Sequence, residues 1–267
     1  MFKKLATYLT FTTAMTTLLS TSVVSFAAEH SKIQVTPAIK AAVNSSERLA
    51  SDKIRDKGRK PAEVLSILGV KPGMKVLDLS SGGGYYTDIL SRVVGDEGEV
   101  VAHNAPFVVN RFAGFFADKK NGWPAKFSTP QWQSNVSKLI AELDNANYGV
   151  LNDAAIMVLF YHDTVWQGVN RKMMNRHIFN SLKPGGSYVI VDHSAKAGSG
   201  ITDVSTNHRI DKQTVIDDLT SVGFELALDS DLLANPKDTR DYPFTRDAKT
   251  NRDQTDRMVL KFVKPSK

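Results

Sequence analysis

Cysteine is absent from the 267-residue sequence, which excludes disulfide bonds, a cysteine nucleophile and a thiolate metal site. Charge of one sign is not in large excess either, because 34 Lys and Arg residues face 28 Asp and Glu residues. A nucleic-acid-binding surface needs a stripe of Arg and Lys interleaved with aromatic residues, and the sequence has no such stripe. Internal repeats and low-complexity segments are also lacking. With 42% hydrophobic residues, the chain can bury one sizeable core or two small ones.

The first 27 residues have the pattern of a secretory signal peptide. Lys3 and Lys4 are followed by no charge until Glu29, and residues 25–27 read Ser-Phe-Ala, a small-x-small cleavage signal. The alternative is a membrane anchor, but ten of the residues from 5 to 27 are Ser or Thr, which is too polar for a spanning helix. We expect cleavage after Ala27. The remaining 240 residues, with a net charge of +4, would be periplasmic or secreted and have no stable membrane anchor.

Short apolar runs alternate with helix-like segments along the rest of the chain. The runs that predict strands are 76–79, 98–103, 154–160, 187–193, 224–228 and 256–263. The segment 135–145 is ambiguous, because the spacing of its apolar residues suits a helix whereas its position in the chain suits a strand. Strands alternating with helices predict an α/β fold: a doubly wound, seven-stranded, mostly parallel sheet with helices on both faces. We expect residues 28–60 to form an N-terminal helical and loop extension, residues 61–267 to form one Rossmann-like domain, and residues 119–134 to form a loop.

The most informative stretch is VLDLSSGGGYYT, residues 76–87, in which three glycines stand between a buried strand and a helix. In an open parallel sheet, ligands bind beyond the carboxyl ends of the strands. Glycines there let the backbone approach a ligand and adopt positive φ, and the helix that follows presents free N–H groups. The dinucleotide pattern G-x-G-x-x-G fails because Thr87 stands at its third glycine, and no Gly-Lys-Ser/Thr ending follows. A ligand-binding loop is predicted, with a purely steric turn as the alternative.

These segments resemble a known family. KPGMKVLDLSSGGGYYT, LKPGGSYVIVDH and TDRMVLKFVKP are similar, in the same order, to the motifs of the class I, Rossmann-like S-adenosylmethionine-dependent methyltransferases, whose first motif is D-x-G-x-G-x-G. RKPAEVL, VLFYHD, VDHSAKAGSG and HRID look like a group of exported "predicted methyltransferases". The resemblance implies a methyltransferase-like sheet with an antiparallel last strand, and S-adenosylmethionine as the cofactor.

The resemblance assigns part of the cofactor site to the glycine loop. Asp78, Gly82 and Gly84 match its first motif. Ser80 stands where the family has its first glycine, so that a Cβ would crowd the methionine end of the cofactor or strain the turn. Tyr85 would cover the sulfonium with its aromatic face, whereas Tyr86 would be a core residue.

Other cofactor contacts are expected after the second and third strands. Asn104 stands where the family has an acid that binds both ribose hydroxyls; an amide could bind them without the charge, and the alternative is a turn residue. Asp144 or Glu142 would meet the adenine amino group, or would be solvated loop acids.

Histidines and acids cluster at the predicted strand ends. The residues concerned are His103, His162, His193 and His208, with Asp163 beside the second and Asp192 beside the third. Three interpretations stand: a general base with a pKa near working pH, a metal site, or polar loop ends without chemistry. We expect a catalytic group of His162, Asp163, Asp192 and His193, with His162 as the base, His193 or Asp192 orienting the substrate, and no resident metal.

The sequence therefore predicts an exported enzyme that transfers a methyl group from S-adenosylmethionine to an oxygen or nitrogen of a small molecule, without nucleic acid as a partner. Arg55, Arg59 and Lys60 would bind an anionic group or form a solvated basic loop. The alternative is an exported protein on the same fold that does not methylate: a small-molecule binding protein or a metal-assisted hydrolase that uses the histidines. Oligomeric state is not predicted.

Overall fold

The computed structural model describes residues 33–120, 122–243 and 253–266. The predicted signal peptide, residues 1–27, lies outside the described residues. Within the described ranges, no helix combines the length and the apolar character that crossing a bilayer requires.

Seven strands form one sheet. They are β1 (Lys75–Leu79), β2 (Glu99–Asn104), β3 (Val136–Ile140), β4 (Asn152–Val158), β5 (Leu182–His193), β6 (Glu225–Ser230) and β7 (Arg257–Val263). Their order across the sheet is β3-β2-β1-β4-β5-β7-β6. The first five strands pair in parallel, and β7 is antiparallel to both β5 and β6. The predicted fold class is confirmed, and the ambiguous third segment is a strand over residues 136–140.

Helices cover both faces of the sheet. They are α1 (Pro37–Asn44), α2 (Ala50–Lys53), α3 (Asp56–Arg59), α4 (Pro61–Leu68), α5 (Tyr85–Val94), α6 (Pro106–Arg111), α7 (Ala113–Phe116), α8 (Trp123–Phe127), α9 (Pro130–Asn135), α10 (Asp163–Trp166), α11 (Arg171–Ser181), α12 (Val204–Asn207) and α13 (Lys212–Thr220). The expected cap of α13 is present, because the Asp211 side chain accepts a hydrogen bond from the Gln213 N–H.

The prediction of a loop over residues 119–134 is wrong, because α8 and α9 occupy most of it. Each of these helices has a proline in its first turn, where a missing N–H costs no hydrogen bond. The side chain of Thr129 caps α9 by accepting from the Trp132 N–H. The Trp-Pro pair at 123–124 is therefore a helix start, and these two helices carry aromatic side chains towards the glycine loop.

Alternate residues of the central strands enter two apolar layers, one on each face of the sheet. On one face Val76 and Ile156 pack with α1, α4 and α5, and on the other Leu77 and Met157 pack with α11 and α13. An N-terminal extension was expected at residues 28–60. Its described part, from residue 33 onward, packs on the sheet, because Ile39 of α1 is buried in the first of these layers. The core holds β1 and β4 rigid, and their carboxyl ends carry the site.

Candidate functional site

The glycine loop joins β1 to α5 through three residues with positive φ: Ser80 at 52°, Gly82 at 55° and Gly84 at 77°. Positive φ is strained for a residue with a side chain, so Ser80 stores strain at the position where the resembled family has glycine. Backbone hydrogen bonds hold this turn to β2. The N–H of Ser81 donates to the His103 carbonyl oxygen at 2.8 Å.

The three glycines of the triplet have two different roles. A Cβ on Gly83 would lie 2.4 Å from the Phe115 ring, and one on Gly84 would lie 2.4 Å from Trp132. These two glycines let aromatic side chains of α7 and α9 pack on the loop. A Cβ on Gly82, by contrast, would meet no described atom within 4 Å. The Cα of Gly82 therefore faces open space, as a ligand-binding loop requires. Gly84, which was also expected to contact the cofactor, instead packs against Trp132.

The side chain of Asn104 is hydrogen-bonded to the glycine loop. Its Oδ1 accepts from the Gly82 N–H at 2.9 Å, and its Nδ2 donates to Ser81 Oγ at 2.9 Å and to the Gly82 carbonyl oxygen at 3.3 Å. The side chain is completely buried. These bonds engage both polar atoms of the side chain with the loop, which does not favour the predicted contact with ribose hydroxyls. The alternative, a turn residue, does not describe Asn104 either, because it is the last residue of β2.

Two further side chains brace the carbonyl groups of the loop, and sequence reasoning missed both. Trp123 Nε1 donates to the Gly82 carbonyl oxygen at 2.9 Å, and Lys126 Nζ donates to the Gly83 carbonyl oxygen at 2.8 Å. Lys126 is 4% exposed and also pairs with Asp52 at 2.6 Å. No sequence pattern marks this lysine, since only the packing of α8 brings it to the loop.

A cavity of about 540 Å³ opens beside the loop, within the size range of small-molecule sites. Its lining combines aromatic and charged side chains. The aromatic ones are Phe112, Phe115, Phe116 and Phe160, and the charged ones are Asp52, Arg55, Arg59, Asp78 and Asp163. A larger cavity of about 890 Å³ shares Ser51 and Arg55 with it, but residues 82–84 are not part of its lining. The smaller cavity is the candidate site because the loop with open backbone lines it.

Asp78 lies where β1 ends, at the floor of this cavity. It is 2% exposed, and its Oδ2 accepts a hydrogen bond of 2.6 Å from Thr87 Oγ1. Burial raises the pKa of Asp78 to about 7, although the hydrogen bonds from Thr87 and the charges of Lys126 and Arg59 act in the opposite direction. The Asp78 carboxyl therefore exchanges a proton near neutral pH and ties β1 to the first turn of α5.

Tyr85 lines the cavity, but its ring is engaged by protein. The Arg59 guanidinium carbon lies 4.5 Å from the ring centroid, and the hydroxyl donates to Asp56 Oδ1 at 2.5 Å. The sulfonium contact stays a prediction, which is not favoured on the face of the ring that Arg59 covers, because a cation already lies there. Tyr86, expected in the core, is 3% exposed and also lines the cavity.

The two arginines of the basic loop are paired with an acid from the C-terminal part of the chain. Arg55 forms two hydrogen bonds with the Asp253 carboxylate, at 2.9 and 2.8 Å, and Arg59 forms a third at 3.2 Å. Both arginines line the cavity. Lys60 instead donates to the Leu232 carbonyl oxygen at 2.7 Å.

Asp144 lies away from the cavity. Its Oδ2 accepts from the Asn170 N–H at 2.8 Å, ahead of α11, and it is not among the lining residues. The adenine contact predicted for Asp144 stays a prediction, which its bond at the start of α11 does not favour. Glu142, the other acid considered, is exposed and does not line the cavity either.

His162 and Asp192 form a buried pair at the ends of β4 and β5. Asp192 Oδ1 accepts from His162 Nδ1 at 2.7 Å, and Asp192 Oδ2 accepts from the His162 N–H at 2.7 Å. Asp163 Oδ1 lies 3.0 Å from the other ring nitrogen. Burial lowers the pKa of His162, but the charges and hydrogen bonds of Asp192 and Asp163 outweigh it and raise the pKa to about 10.

That His162 acts as a general base stays a prediction, and two features of the structure do not favour it. A ring with this pKa carries its proton at neutral pH, and it does not line the cavity. Asp192 is completely buried, and His193 is 3% exposed, so neither is placed to orient a substrate. Burial and the charge of His162 lower the pKa of His193 well below its usual value, and its Nδ1 lies 2.7 Å from Thr255 Oγ1. Of the four residues expected to be catalytic, only Asp163 lines the cavity.

Asp163 is the point where this cluster meets the cavity. Its Oδ1 accepts from Trp166 Nε1 at 2.7 Å and lies 3.3 Å from His208 Nδ1. Burial alone would raise its pKa, but the hydrogen bond and charge of His162 lower it, so the group is a carboxylate.

His103 lies in β2 and contacts the glycine loop instead of this cluster. Burial lowers its pKa to about 4, so the ring is neutral. Its Nε2 donates to the Ala141 carbonyl oxygen at 2.9 Å, and its Nδ1 accepts from the Ser80 N–H at 3.4 Å. A neutral ring with the proton on Nε2 satisfies both contacts, and it ties the strained Ser80 to β3.

The cavity fits one end of S-adenosylmethionine better than the other. At the loop, Ser80 Oγ is buried without a hydrogen-bond partner among the described atoms, and Gly82 leaves room that a Cβ would fill. A ligand with polar atoms would satisfy the Ser80 hydroxyl. At the end of β2, the acid that would hold the ribose hydroxyls is replaced by the inward-facing Asn104.

Comparisons with known proteins agree with this geometry. A family model described as protein-L-isoaspartate(D-aspartate) O-methyltransferase matches residues 36–112, less than a third of the chain but including the glycine loop. No curated protein matches the chain.

Solved structures share the fold. An S-adenosylmethionine-dependent methyltransferase from Aquifex aeolicus is 19% identical, with a TM-score of 0.53 over 78% of this chain and 92% of that one. One from Mesorhizobium loti is 15% identical, with a TM-score of 0.52 over 78% and 98%. The [4+2]-cyclase SpnF is 14% identical, with a TM-score of 0.53 over 79% and 81%. The expected resemblance to the class I methyltransferases is confirmed at the level of the fold.

Proposed function

We propose that this chain, which has the class I methyltransferase fold, binds S-adenosylmethionine beside Gly82 and transfers its methyl group to an oxygen or nitrogen of a small molecule. The observation that carries this is the open space where a Gly82 Cβ would lie, on a loop that lines a cavity of about 540 Å³. When bound, the cofactor supplies an electrophilic methyl group on a sulfonium.

The residues at the loop would hold the amino-acid end of the cofactor. The Ser80 hydroxyl supplies a polar contact, and the bare backbone of Gly82 allows close approach. The aromatic lining formed by Phe112, Phe115 and Phe116 would contact the adenine ring and exclude water from it.

Asp163 would hold the methyl acceptor. It is a carboxylate on the lining of the cavity, and a carboxylate can accept a hydrogen bond from the O–H or N–H of a nucleophile. Phe160 lies on the same lining, so the acceptor would combine a donor group with an apolar part. Alignment of the two reactants accounts for most of the catalysis on this proposal.

Export remains part of the proposal. Residues 1–27 have the pattern of a signal peptide, and we propose a periplasmic or secreted location. N-terminal sequencing of the protein recovered from the culture medium or the periplasm tests this. A mature chain beginning at Ala28 supports it, and a cell-retained chain that keeps residues 1–27 contradicts it.

Calorimetric titration of residues 28–267 with S-adenosylmethionine and with S-adenosylhomocysteine tests the main proposal. We expect saturable one-to-one binding of both. A panel of small phenols, amines and carboxylates with isotopically methyl-labelled cofactor then identifies the acceptor. No heat and no thermal stabilisation at millimolar ligand would contradict cofactor binding.

One observation favours a second candidate, an exported small-molecule binding protein or non-methylating enzyme on this fold. Asn104 faces the loop instead of the ribose position, which weakens the expected grip on the cofactor. A [4+2]-cyclase shares the fold, so the fold alone does not fix the reaction. Cofactor binding without methyl transfer to any acceptor supports this candidate, and labelled product contradicts it.

A further inference from the structure

His162, Asp163 and His208 converge at one point, and Asp163 also lines the cavity. Each offers one ligand atom, and these three atoms all lie within 4.8 Å of one another. They come from different parts of the chain: His162 and Asp163 from the end of β4 and the start of α10, and His208 from the end of α12. We propose that this cluster binds a first-row divalent cation of the zinc type, a site separate from the proposed cofactor site.

The distances match those of a tetrahedral metal site. Asp163 Oδ1 lies 3.0 Å from His162 Nε2 and 3.3 Å from His208 Nδ1. Metal–ligand bonds of about 2.0–2.2 Å in a tetrahedron place neighbouring ligand atoms about 3.4 Å apart. The two imidazole rings are nearly perpendicular, at 86°, with centroids 5.7 Å apart. Small adjustments of the Asp163 carboxylate would therefore bring all three groups to one ion.

The surroundings orient these groups as supporting residues do in metal sites. A metal-binding histidine commonly donates its second ring N–H to a carboxylate, and His162 Nδ1 donates to Asp192 Oδ1 at 2.7 Å. Trp166 Nε1 donates to the Asp163 carboxylate at 2.7 Å, which fixes its orientation. A bound cation would replace the proton between His162 Nε2 and Asp163, and that proton would leave to solvent.

Three protein ligands leave a coordination position open, which is typical of catalytic metal sites. Asp163 lines the cavity, so an oxygen or nitrogen of a molecule held there could take that position. Two imidazoles and one carboxylate favour zinc, cobalt or nickel over magnesium, which prefers oxygen ligands.

Zinc binding to the mature chain, stripped with EDTA and free of cofactor, tests the inference. We expect one equivalent of Zn²⁺ by calorimetry, visible absorption when Co²⁺ is bound, and no heat with Mg²⁺. His208→Asn should weaken Zn²⁺ binding by roughly a hundredfold or more, because a direct ligand is removed whereas loss of a supporting residue alone costs 10–100-fold. Asparagine tolerates the positive φ of 52° at this position, so the variant should keep its fold.

His177→Asn is the matched control, because His177 lies on α11, outside the cluster. It should bind Zn²⁺ as the wild type does. Asp163→Asn is a second variant and should also lose binding. A wild type that takes up no Zn²⁺ at millimolar concentration, or a His208→Asn variant as tight as His177→Asn, would overturn the inference. S-adenosylmethionine is absent from these Zn²⁺ titrations. A failure to bind Zn²⁺ therefore does not contradict the proposed methyl transfer, and a failure to bind S-adenosylmethionine does not contradict the metal site.

Discussion

The side-chain oxygen of Asn104 accepts a 2.9 Å hydrogen bond from the Gly82 N–H. This bond joins the end of β2 to the loop that follows β1, and the Asn104 amide nitrogen adds two more bonds to the same loop. The loop is therefore held in position before any ligand arrives. Pre-organisation of this kind lowers the entropy cost of binding.

Asn104→Ala should destabilise the protein by about 1–3 kcal/mol, because it leaves buried loop groups without partners. Urea unfolding followed by circular dichroism measures this. If Asn104 contacted a ribose and not the loop, the variant would lose cofactor affinity with unchanged stability, and that result would contradict the structure.

Asp78→Asn should change the pH dependence of stability. The folded pKa of Asp78 is raised from 3.8 to about 7, so the folded state holds a proton that the unfolded state releases. The free energy of unfolding therefore falls as the pH rises from about 4 to about 7, and the carboxyl costs up to about 4 kcal/mol above that range. The variant should be more stable than the wild type at pH 8. Urea titrations at pH 4.5, 6 and 8 check this; a variant less stable at pH 8 with an unchanged pH profile would count against it.

Asp192→Ala should be strongly destabilising, by about 3–5 kcal/mol, because it leaves the buried His162 ring without its main carboxylate partner. The backbone N–H groups of His162 and His193 also lose their acceptor. Asp192→Asn keeps one acceptor oxygen and should cost less. Equal stability of the wild type and the alanine variant in thermal unfolding would contradict this prediction, because the hydrogen bonds of Asp192 would then contribute nothing to the stability of the fold.

Lys126→Met should lower stability and loosen the glycine loop. The change removes the bond to the Gly83 carbonyl oxygen and leaves Asp52 without its 2.6 Å partner. A loss of about 1–3 kcal/mol is expected for these unsatisfied groups. Lys120→Met is the control, since Lys120 is exposed. Faster amide exchange at residues 82–84 in Lys126→Met alone would support the role, and equal exchange in both variants would refute it.

The sequence predicts the sheet well because buried parallel strands are continuous apolar runs with turn residues at their ends. VLDL and SYVIVDH are examples, and β1 and β5 contain them. Apolar periodicity does not reveal the two short helices at residues 123–135. Each is hardly longer than one turn and is stabilised mainly by tertiary contacts.

The site was only partly predictable, for a similar reason. Motif position locates the glycine loop and Asp163, which line the cavity. It does not reveal where a side chain points: Asn104 faces inward, and His162 is held between two carboxylates. Lys126 and Trp123 reach the loop only through folding of α8, so no local pattern marks them.

The most direct test compares Gly82→Ala with Gly73→Ala in calorimetric titrations with S-adenosylmethionine. Both glycines have positive φ, 55° and 79°, and at both a Cβ would meet no described atom within 4 Å, so the strain is matched. Only Gly82 lines the cavity. We expect at least roughly a tenfold loss of affinity, about 1.4 kcal/mol, for Gly82→Ala and wild-type affinity for Gly73→Ala. Equal affinities for the two variants, or a wild type that binds no cofactor, would contradict it.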